Sequence, residues 1–535
     1  MLSSDVLLLE PLHVRNGPFG MSMQVPSAYV AALNKETTLV ADAGRKTYDL
    51  YIAGRRRPAD GGQYFDCDNP CTGEVWARVA RGTAADVDEA VAAAREALPT
   101  WNGLKPSERG KLMLKMAELI DTHAPALAAA EVRDNGKLYA EMLPQMRSAA
   151  DWFRYYAGLA DKLEGAVIPT GRPDMLTFTR LEPLGVVALI TPWNSPLLLL
   201  AHKLPTALAA GNTVVIKPSE FTSASTLEFA ELFAQAGFPH GVVNVVTGFG
   251  SEAGAALVAH PDVAKVAFTG SDEGGRRINR AAAADFKHVA LELGGKSPNI
   301  VFEDAQIDAA VVGAIAGIFA ASGQTCIAGS RLLLQRSIHD SFVGQLVDLA
   351  GQARIGDPML PETNVGPIAT PPQYSKVLEY IAIAKEEGAR CVLGGGPYAG
   401  SGTSGGRFVL PTIFTGVDNR MRIAREEVFG PVLAIIPFDS EEEAFQIAND
   451  TPFGLAAGVW TSDMGRALRA SERLQAGTVW INTYRMGGCS TPFGGYKHSG
   501  LGREGGVEAI KEWVQTKTVW LCGKPDTNQP FVMRH

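Results

Sequence analysis

Four short, continuous apolar runs between residues 186 and 268 limit what this chain can fold into. Each run precedes a stretch of helical pattern and has the texture of a strand that is buried on both faces of a sheet. The runs lie at residues 186–190, 213–218, 242–246 and 263–268. Their alternation predicts an α/β fold with a parallel, doubly wound sheet, in which ligands bind at the carboxyl ends of the strands.

A second α/β segment follows the first. Its strand-like runs lie at residues 300–302, 391–393, 432–438 and 479–482. Because 535 residues exceed what one hydrophobic core holds, we expect two doubly wound domains. The first comprises residues 46–163 and 182–295, and the second comprises residues 296–498. Residues 1–45 are loosely patterned and are expected to form an N-terminal extension.

The part of the chain before the first sheet contains long helical patterns. They lie at residues 83–97, 107–123, 125–136 and 144–163, with Thr83 as an N-cap and Pro144 in a first turn. Two extended pieces, within residues 164–181 and 499–535, have no evident partner in either domain. Because strand edges are usually paired or protected, we expect these pieces to form a small β oligomerisation element.

Composition and charge exclude several classes of protein. The net charge of -8 and the lack of a basic run argue against a nucleic-acid partner. No stretch reaches the ~18 apolar residues that a membrane span needs. The six cysteines form no CxxC pair and have no histidine cluster at zinc-ligand spacing. We therefore expect reduced thiols, no metal and a cytoplasmic location.

Three polar residues stand in contexts that suit chemistry on a carbonyl group. Cys326 lies among small residues that leave room at its sulfur, and a thiolate is a strong nucleophile. Glu292 lies between two leucines, where desolvation raises a carboxyl pKa towards that of a general base. The amide of Asn194 follows a buried strand and could donate to an oxyanion. Each residue, taken alone, also suits a structural role in packing, in a surface turn or in a helix cap.

Other residues that follow the predicted strands could hold a ligand. Lys217 and Glu220 could grip ribose hydroxyls, or they could form a solvated pair that opens a helix. Ser271 could cap a helix beneath a phosphate. The glycine-rich segment 248–254 is not the GxGxxG pattern of dinucleotide folds.

The order, residue types and spacing of these segments closely resemble the aldehyde dehydrogenase superfamily. The resemblance covers residues 48–521, and its most specific part is the pair of segments that carry Glu292 and Cys326, 34 positions apart. It implies two Rossmann-like domains, the first cofactor-binding and the second catalytic, with NAD(P) as cofactor and no metal. It also implies a homodimer or homotetramer, held through a hairpin and a C-terminal strand that match the expected oligomerisation element.

The resemblance implies a role for each reactive residue. Cys326 is expected to attack the aldehyde, giving a thiohemiacetal and, after hydride loss, a thioester. The amide of Asn194 and the backbone N–H of Cys326 would hold the oxyanion. Glu292 would activate the water that hydrolyses the thioester, so the product would be a free acid rather than a coenzyme A ester. A catalytically retired binding or structural homologue is the alternative, and it should have lost one of these three residues.

The resemblance also implies how the cofactor is held. Lys217 and Glu220 are expected at the adenosine ribose, Glu427 at the nicotinamide ribose and Ser271 at the pyrophosphate. The other residues expected to line the cleft are Trp193, Gly250, Gly270, Leu293 and Phe429. The carboxylate of Glu220 can accept from a ribose 2′-OH and would repel a 2′-phosphate, which favours NAD over NADP. Because such a glutamate can swing away, an NADP-preferring enzyme remains an alternative.

The expected substrate tunnel has fewer aromatic rings than is common in the family. Ser195 and His202 stand where many relatives carry an aromatic residue, and Gly487 stands where a ring often narrows the mouth. The expected pocket residues are Ser195, Leu198, His202, Thr325, Ile327, Arg485, Gly487 and Phe493. This pattern favours a larger or more polar aldehyde, such as an aromatic aldehyde or a semialdehyde whose acidic end meets Arg485 and His202. Alternatively, Arg485 is structural or pairs across a subunit interface.

Overall fold

The computed structural model of the chain describes residues 45–400, 403–524 and 531. The described residues from Thr47 onward belong to one compact unit. The expected N-terminal extension, residues 1–45, lies outside the described residues except for Arg45.

The described strands are β1 (Lys46–Tyr48), β2 (Leu50–Ile52), β3 (Arg55–Arg57), β4 (Tyr64–Asp68), β5 (Val75–Ala80), β6 (Val167–Ile168), β7 (Met175–Pro183), β8 (Val186–Ile190), β9 (Thr213–Lys217), β10 (Val243–Val245), β11 (Val263–Thr269), β12 (His288–Glu292), β13 (Pro298–Val301), β14 (Arg331–Gln335), β15 (Arg390–Leu393), β16 (Thr412–Thr415), β17 (Val432–Phe438), β18 (Phe453–Gly454), β19 (Ala456–Trp460), β20 (Thr478–Ile481), β21 (Tyr496–Lys497), β22 (Gly500–Leu501) and β23 (Val514–Cys522).

The described α-helices are α1 (Ala84–Gly103), α2 (Pro106–Asn135), α3 (Tyr139–Leu159), α4 (Pro196–Ala201), α5 (Leu204–Ala209), α6 (Ala224–Ala236), α7 (Ala255–Ala259), α8 (Asp272–Ala283), α9 (Ile307–Phe319), α10 (His339–Ala350), α11 (Pro371–Glu386), α12 (Arg422–Arg425), α13 (Glu441–Asn449) and α14 (Met464–Arg473).

The predicted first sheet is present, and its parallel core has the strand order β10-β9-β8-β11-β12. From β8 the chain moves outward through β9 and β10, and it then returns to the other side of β8 for β11 and β12. This reversal creates a crevice at the carboxyl ends of β8 and β11, where a doubly wound sheet binds its ligand. Antiparallel strands flank the core, with β22 beside β12 and with β2 and β3 beyond β10.

The second sheet has the order β15-β16-β17-β14-β13-β19-β20 and is parallel except where β15 meets β16. Together the two sheets confirm the predicted fold class. Helix α9 follows β13, and the segment between α9 and β14 carries Cys326. Buried Ile318 of α9, Leu332 of β14 and Ile435 of β17 share one hydrophobic cluster. The segment with Cys326 is therefore anchored at both ends in a packed core.

The two pieces that the sequence left without a partner pair with each other. Strand β7 lies antiparallel to β23 over nine registered residue pairs, from Met175 with Cys522 to Pro183 with Val514, and β6 pairs with the other edge of β7. The sequence showed no partner for either piece in the two domains, and it did not reveal that they pair with each other, because pairing between residues so distant in sequence leaves no local signal. Strand β22, within residues 499–535, joins the larger sheet instead.

Two helical predictions need correction. The patterns at residues 107–123 and 125–136 form one helix, α2, that continues through Pro125. Pro144 lies inside α3, which begins five residues earlier at Tyr139. A proline inside a helix costs about 3 kcal/mol or more, and the close packing of α2 on α3 offsets this cost. The predicted N-cap is present, since Thr83 precedes α1 and its backbone N–H donates to the Asp86 carboxylate at 2.8 Å.

The described residues contain neither a helix that could span a membrane nor a cluster of side chains that could hold a metal ion. None of the helices there combines the length and the apolar character needed to cross a membrane. The same part of the chain has no group of three or more His, Cys, Asp or Glu side chains placed to hold a metal ion.

Candidate active site

The three residues expected to react come from different elements and meet in one place. Asn194 lies just after β8, and Glu292 is the last residue of β12. The side-chain amide of Asn194 donates to the carbonyl oxygen of Gln324 at 3.0 Å, two residues before Cys326. A Cβ added to Gly295 would lie 2.5 Å from the carbonyl oxygen of Cys326. The segments of all three residues are therefore in direct contact.

A strained loop leads into Cys326. Ala321 and Ser322 have φ angles of 54° and 51°, a conformation that costs a residue with a side chain about 1–2 kcal/mol. Gln324 is fully buried, and its amide donates to Pro367 and accepts from the backbone N–H of Ala369. These buried hydrogen bonds hold the loop in its strained form and fix the position of Cys326.

The electrostatic surroundings of Cys326 disfavour the thiolate. Burial raises the pKa of the thiol to about 12, and the charges of Glu427 and Glu292 add to the rise, whereas Lys137 opposes it. The thiol is free and partly exposed. Since it is mostly protonated at neutral pH, its reaction requires a proton acceptor or additional positive charge close to the sulfur.

Glu292 has the properties expected of a buried general base. Its side chain is 5% exposed, and Oε2 has no hydrogen-bond partner within the described part of the chain. Burial raises its pKa well above the ordinary value, and the charge of Glu504 raises it further. The unpartnered oxygen is free to bond a water molecule, and the raised pKa makes the carboxylate a stronger base.

A buried ionic network lies beside Glu292 and was not predicted. Lys203 donates to Glu504 and to Thr269, and Nδ1 of His202 lies 3.2 Å from Oε2 of Glu504. Burial alone would raise the pKa of Glu504, but Lys203 and His202 outweigh it and bring that pKa to about 2. Because Glu504 is 301 residues from Lys203 in the chain, only the tertiary structure reveals the pair.

A second unpredicted group is the buried lysine Lys137, directly after the end of α2. It is 3% exposed, and its Nζ donates to Oγ of Ser195 at 2.8 Å. Burial lowers the pKa of Lys137 to about 8, and the charge of Glu141 opposes this lowering. Its position two residues after a helix was at most a weak signal, since a lone lysine there usually lies in solvent.

Each residue expected at a ribose ring has a polar partner: Lys217 lies beside Glu220, and Glu427 bonds the backbone of Gly295. Nζ of Lys217, at the end of β9, lies 3.1 Å from Oε2 of Glu220. Burial lowers the pKa of Lys217. The carboxylate of Glu427 accepts the backbone N–H of Gly295 at 2.9 Å, and burial raises its pKa to about 6. A Cβ on Gly294 would lie 2.5 Å from Oε2 of Glu427, so glycine is needed for this approach.

Three residues of the expected cleft, Gly270, Ser271 and Leu293, lie at the start of α8. The hydroxyl of Ser271 accepts the backbone N–H of Gly274 at 3.1 Å and so caps this helix, whose first turn has the partial positive charge that phosphates favour. Gly270 directly precedes it, Leu293 packs against Gly275, and open space surrounds Gly250. The rings of Trp193 and Phe429 meet edge to face, with centroids 5.2 Å apart. These residues fit an elongated dinucleotide that carries two ribose rings and a pyrophosphate.

The expected tunnel residues fall into two groups. Arg485 donates to the carbonyl oxygen of Ala316 at 3.0 Å and to the hydroxyl of Thr325 at 2.8 Å. The ring of His202 stacks on Trp152 with centroids 4.2 Å apart, and Phe493 meets its edge. These contacts favour the structural alternative for Arg485 and make His202 part of the wall.

The second group leaves space. A Cβ on Gly487 would meet no atom within 4 Å, and Gly487 is exposed. Leu198 and Ile327 are half-buried. The mouth is therefore open where a ring would have narrowed it.

The chain was compared with protein-family models and with curated proteins. The model of the aldehyde dehydrogenase family matches residues 57–519. The (Z)-2-((N-methylformamido)methylene)-5-hydroxybutyrolactone dehydrogenase of Acinetobacter baylyi is 48% identical over 492 residues, which are 91% of this chain and 99% of that protein. Aldehyde dehydrogenase 1A1 of Oryctolagus cuniculus is 44% identical over 475 residues, which are 88% of this chain and 95% of that protein.

Solved structures give the same result. An aldehyde dehydrogenase of Bacillus cereus in complex with NAD+ matches with a TM-score of 0.87 and 43% identity, covering 94% of this chain and 100% of that one. The betaine aldehyde dehydrogenase of Staphylococcus aureus in complex with NAD+ matches with a TM-score of 0.90 and 38% identity, covering 94% of this chain and 100% of that one.

Proposed function

Because the chain belongs to the aldehyde dehydrogenase family and is an NAD(P)-dependent aldehyde oxidoreductase, we propose that it converts an aldehyde into a free carboxylic acid through a covalent intermediate on Cys326. The observation that carries this proposal is the contact between the segments of Cys326, Asn194 and Glu292, in which Glu292 keeps one carboxylate oxygen without a partner.

In the first step, the thiol of Cys326 gives its proton to a water molecule while its sulfur bonds to the aldehyde carbon, and the electron pair of the C=O π bond moves to the oxygen, which takes the negative charge. An amide has two N–H groups, and only one of those on Asn194 is engaged, by Gln324. The other donates to the oxyanion together with the backbone N–H of Cys326. Removal of one such donor typically costs about 10²–10³-fold in kcat.

NAD held in this cleft would supply the acceptor for the hydride that leaves the aldehyde carbon, after which the acyl group stays on Cys326 as a thioester. Glu292 then takes a proton from a water molecule while the water oxygen bonds to the thioester carbon. The C–S bond breaks, the carboxylic acid leaves, and the thiol regains its proton. The raised pKa of Glu292 supports this role because a carboxylate with a higher pKa is a stronger base.

The residues around the crevice support NAD as the cofactor. We assign Lys217 and Glu220 to the adenosine ribose, Glu427 to the nicotinamide ribose and Ser271 to the pyrophosphate. The lining residues are assigned as Trp193, Gly250, Gly270, Leu293 and Phe429. Glu220 would repel a 2′-phosphate, which supports NAD over NADP, and the two solved relatives contain NAD+.

The open mouth supports a larger or more polar aldehyde, such as an aromatic aldehyde or a semialdehyde. Where an aromatic ring would enclose a short alkyl chain, Gly487 leaves open space and Ser195 presents a hydroxyl group. The polar tunnel residues thus favour a substrate with oxygen atoms of its own.

We propose a cofactor-binding domain of residues 46–163 and 182–295 and a catalytic domain of residues 296–498. The sheet of β6, β7 and β23 is then the contact between the subunits of a homodimer or homotetramer. Strand β23 lies at the edge of this sheet, and Trp520 and Leu521 on it are about half exposed. Exposed apolar side chains on a free edge favour association. A cytoplasmic location would keep the six thiols reduced.

The test is a substrate screen with purified protein and NAD, followed by absorbance of NADH. Semialdehydes, aromatic aldehydes and short alkanals are compared by kcat/KM. We expect the first two classes to exceed the alkanals. A clear preference for short alkanals would contradict the proposed substrate class, and NADH formation with none of the aldehydes would contradict the proposed function.

A further inference from the structure

The Lys137–Ser195 pair has more hydrogen-bond donors than acceptors. An ammonium group has three N–H donors and no acceptor, and the only acceptor that the described residues offer to Nζ of Lys137 is Oγ of Ser195, at 2.8 Å. Since Ser195 accepts from Lys137, its own O–H must donate elsewhere. No acceptor for this O–H lies within hydrogen-bond distance in the described part of the chain. Both side chains are more than nine-tenths buried.

A structural role does not account for this pair. Ser195 directly precedes α4, but its side chain does not cap that helix. Glu141 is the main electrostatic partner of Lys137, but it forms no hydrogen bond with Lys137: Oε1 accepts the backbone N–H of Ala321, and Oε2 has no hydrogen-bond partner among the described residues. Buried donors without acceptors are costly unless a ligand completes them.

The position of Ser195 indicates which part of a ligand would do so. Ser195 follows Asn194, and consecutive Cα atoms are about 3.8 Å apart. The charge of Lys137 also acts on the Cys326 thiol, so the Lys137–Ser195 pair lies close to the aldehyde group that Cys326 and Asn194 would hold. We propose that the Lys137–Ser195 pair binds an oxygen atom on the first or second carbon beyond the aldehyde group, so that oxygen-substituted aldehydes are preferred over unsubstituted alkanals. This inference rests on the proposed function and narrows its substrate class.

The experiment compares pairs of aldehydes that differ by a hydroxyl in place of a methyl group, namely glycolaldehyde with propanal and 3-hydroxypropanal with butanal. For each pair, the ratio of the two kcat/KM values is measured at pH 7 in Ser195→Thr and Ser195→Val. These variants have the same shape and differ only in the hydroxyl. Intrinsic reactivity and hydration of the aldehydes cancel when the ratios of the two variants are compared.

We expect at least one pair to show a ratio about tenfold or more higher in Ser195→Thr than in Ser195→Val, as a charge-assisted hydrogen bond requires. Equal ratios in both variants would overturn the inference while leaving aldehyde oxidation intact. NADH formation with neither member of any pair, in wild type and variants alike, would overturn the proposed function as well. If Ser195→Val does not fold, wild type and Ser195→Ala provide the same comparison.

Lys137 is a positioning residue in this account, because it acts through Ser195. Lys137→Met should lower the ratio in the wild-type background and leave it unchanged in the Ser195→Val background. An equal fall in both backgrounds would show that Lys137 does not act through Ser195, and it would overturn this part of the inference.

Discussion

The reacting centre, formed by Cys326, Glu292 and Asn194, differs from the tunnel wall in how its polar atoms are satisfied. In this proposed reacting centre, the described residues leave one oxygen of Glu292 without a partner and engage one N–H of two on Asn194. In the wall, Arg485 is bonded to Ala316 and Thr325, and the donors that the described residues leave unused are those of the Lys137–Ser195 pair. Free polar atoms are available to the substrate, whereas engaged ones maintain shape. Changes in the reacting centre should therefore remove a chemical step, whereas changes at the engaged residues of the wall should displace that centre without removing a step.

The largest effect is expected from Cys326→Ala. Without the sulfur no covalent intermediate can form, and kcat/KM should fall by on the order of 10⁴-fold or more. NADH absorbance measures the loss, and calorimetric titration with NAD serves as the control for a folded cofactor cleft. Persistent aldehyde-dependent turnover in this variant would remove Cys326 from the reacting centre.

Glu292→Gln comes next, because it removes the base but not the nucleophile. We expect kcat to fall about 10²–10⁴-fold. A rapid first burst of NADH, close to one per subunit, should survive, because hydride loss precedes hydrolysis. If the burst disappears together with turnover, Glu292 acts before the thioester forms and the assigned order of steps is wrong.

The pH dependence of thioester hydrolysis should report on Glu292. Below its raised pKa, Glu292 is protonated and cannot accept a proton from water. The rate of thioester hydrolysis should therefore rise with pH until this carboxyl group ionises. Single-turnover measurements across pH test this, and the same limb should be absent in Glu292→Gln. A flat profile in the wild-type protein would contradict the assignment of Glu292 as the base.

In the tunnel wall, Arg485→Met removes one hydrogen bond to Ala316 in α9 and one to Thr325 in the loop of Cys326. We expect kcat to fall about tenfold for all aldehydes, through a misplaced sulfur. Arg485→Lys is the matched control that keeps the charge but loses the planar fork. If Arg485 instead binds the acidic end of a substrate, the variant will raise the KM of semialdehydes and leave the other aldehydes unchanged. That result would contradict the conclusion that Arg485 maintains the shape of the site.

The smallest effect is expected at the far end of the cofactor cleft. Glu220→Gln removes the negative charge that disfavours a 2′-phosphate. The ratio of kcat/KM for NADP to that for NAD should rise several-fold, up to about tenfold. An unchanged ratio would show that Glu220 does not select the cofactor.

The sequence predicted those features of the fold that depend on neighbouring residues, and it missed features that depend on contacts between residues far apart in the chain. Strands β8 and β17 were predicted at the bounds that the structure has, because continuous apolar runs identify buried parallel strands. Strand β19 was missed since it contains two alanines and Gly458, which are poor strand signals. That glycine is required because a Cβ there would lie 2.6 Å from the ring of Tyr484.

The same contrast holds in the candidate site. Cys326, Glu292 and Asn194 could be proposed because each lies in a distinctive local segment. Lys137 and Glu504 could not, because their importance depends on contacts with residues 58 and 301 positions away. Local motifs thus predicted the reacting centre, while the groups that tune it required the tertiary structure.

The central claim is that the substrate becomes covalently attached to Cys326, and trapping the acyl group tests it most directly. Glu292→Gln is mixed with NAD and a substrate aldehyde, quenched in acid during the slow hydrolysis phase and digested for peptide mass spectrometry. The account predicts an acyl adduct, close to one per subunit, on the peptide that carries Cys326. An unmodified Cys326 peptide after a full burst of NADH, or an adduct on another residue, would contradict it.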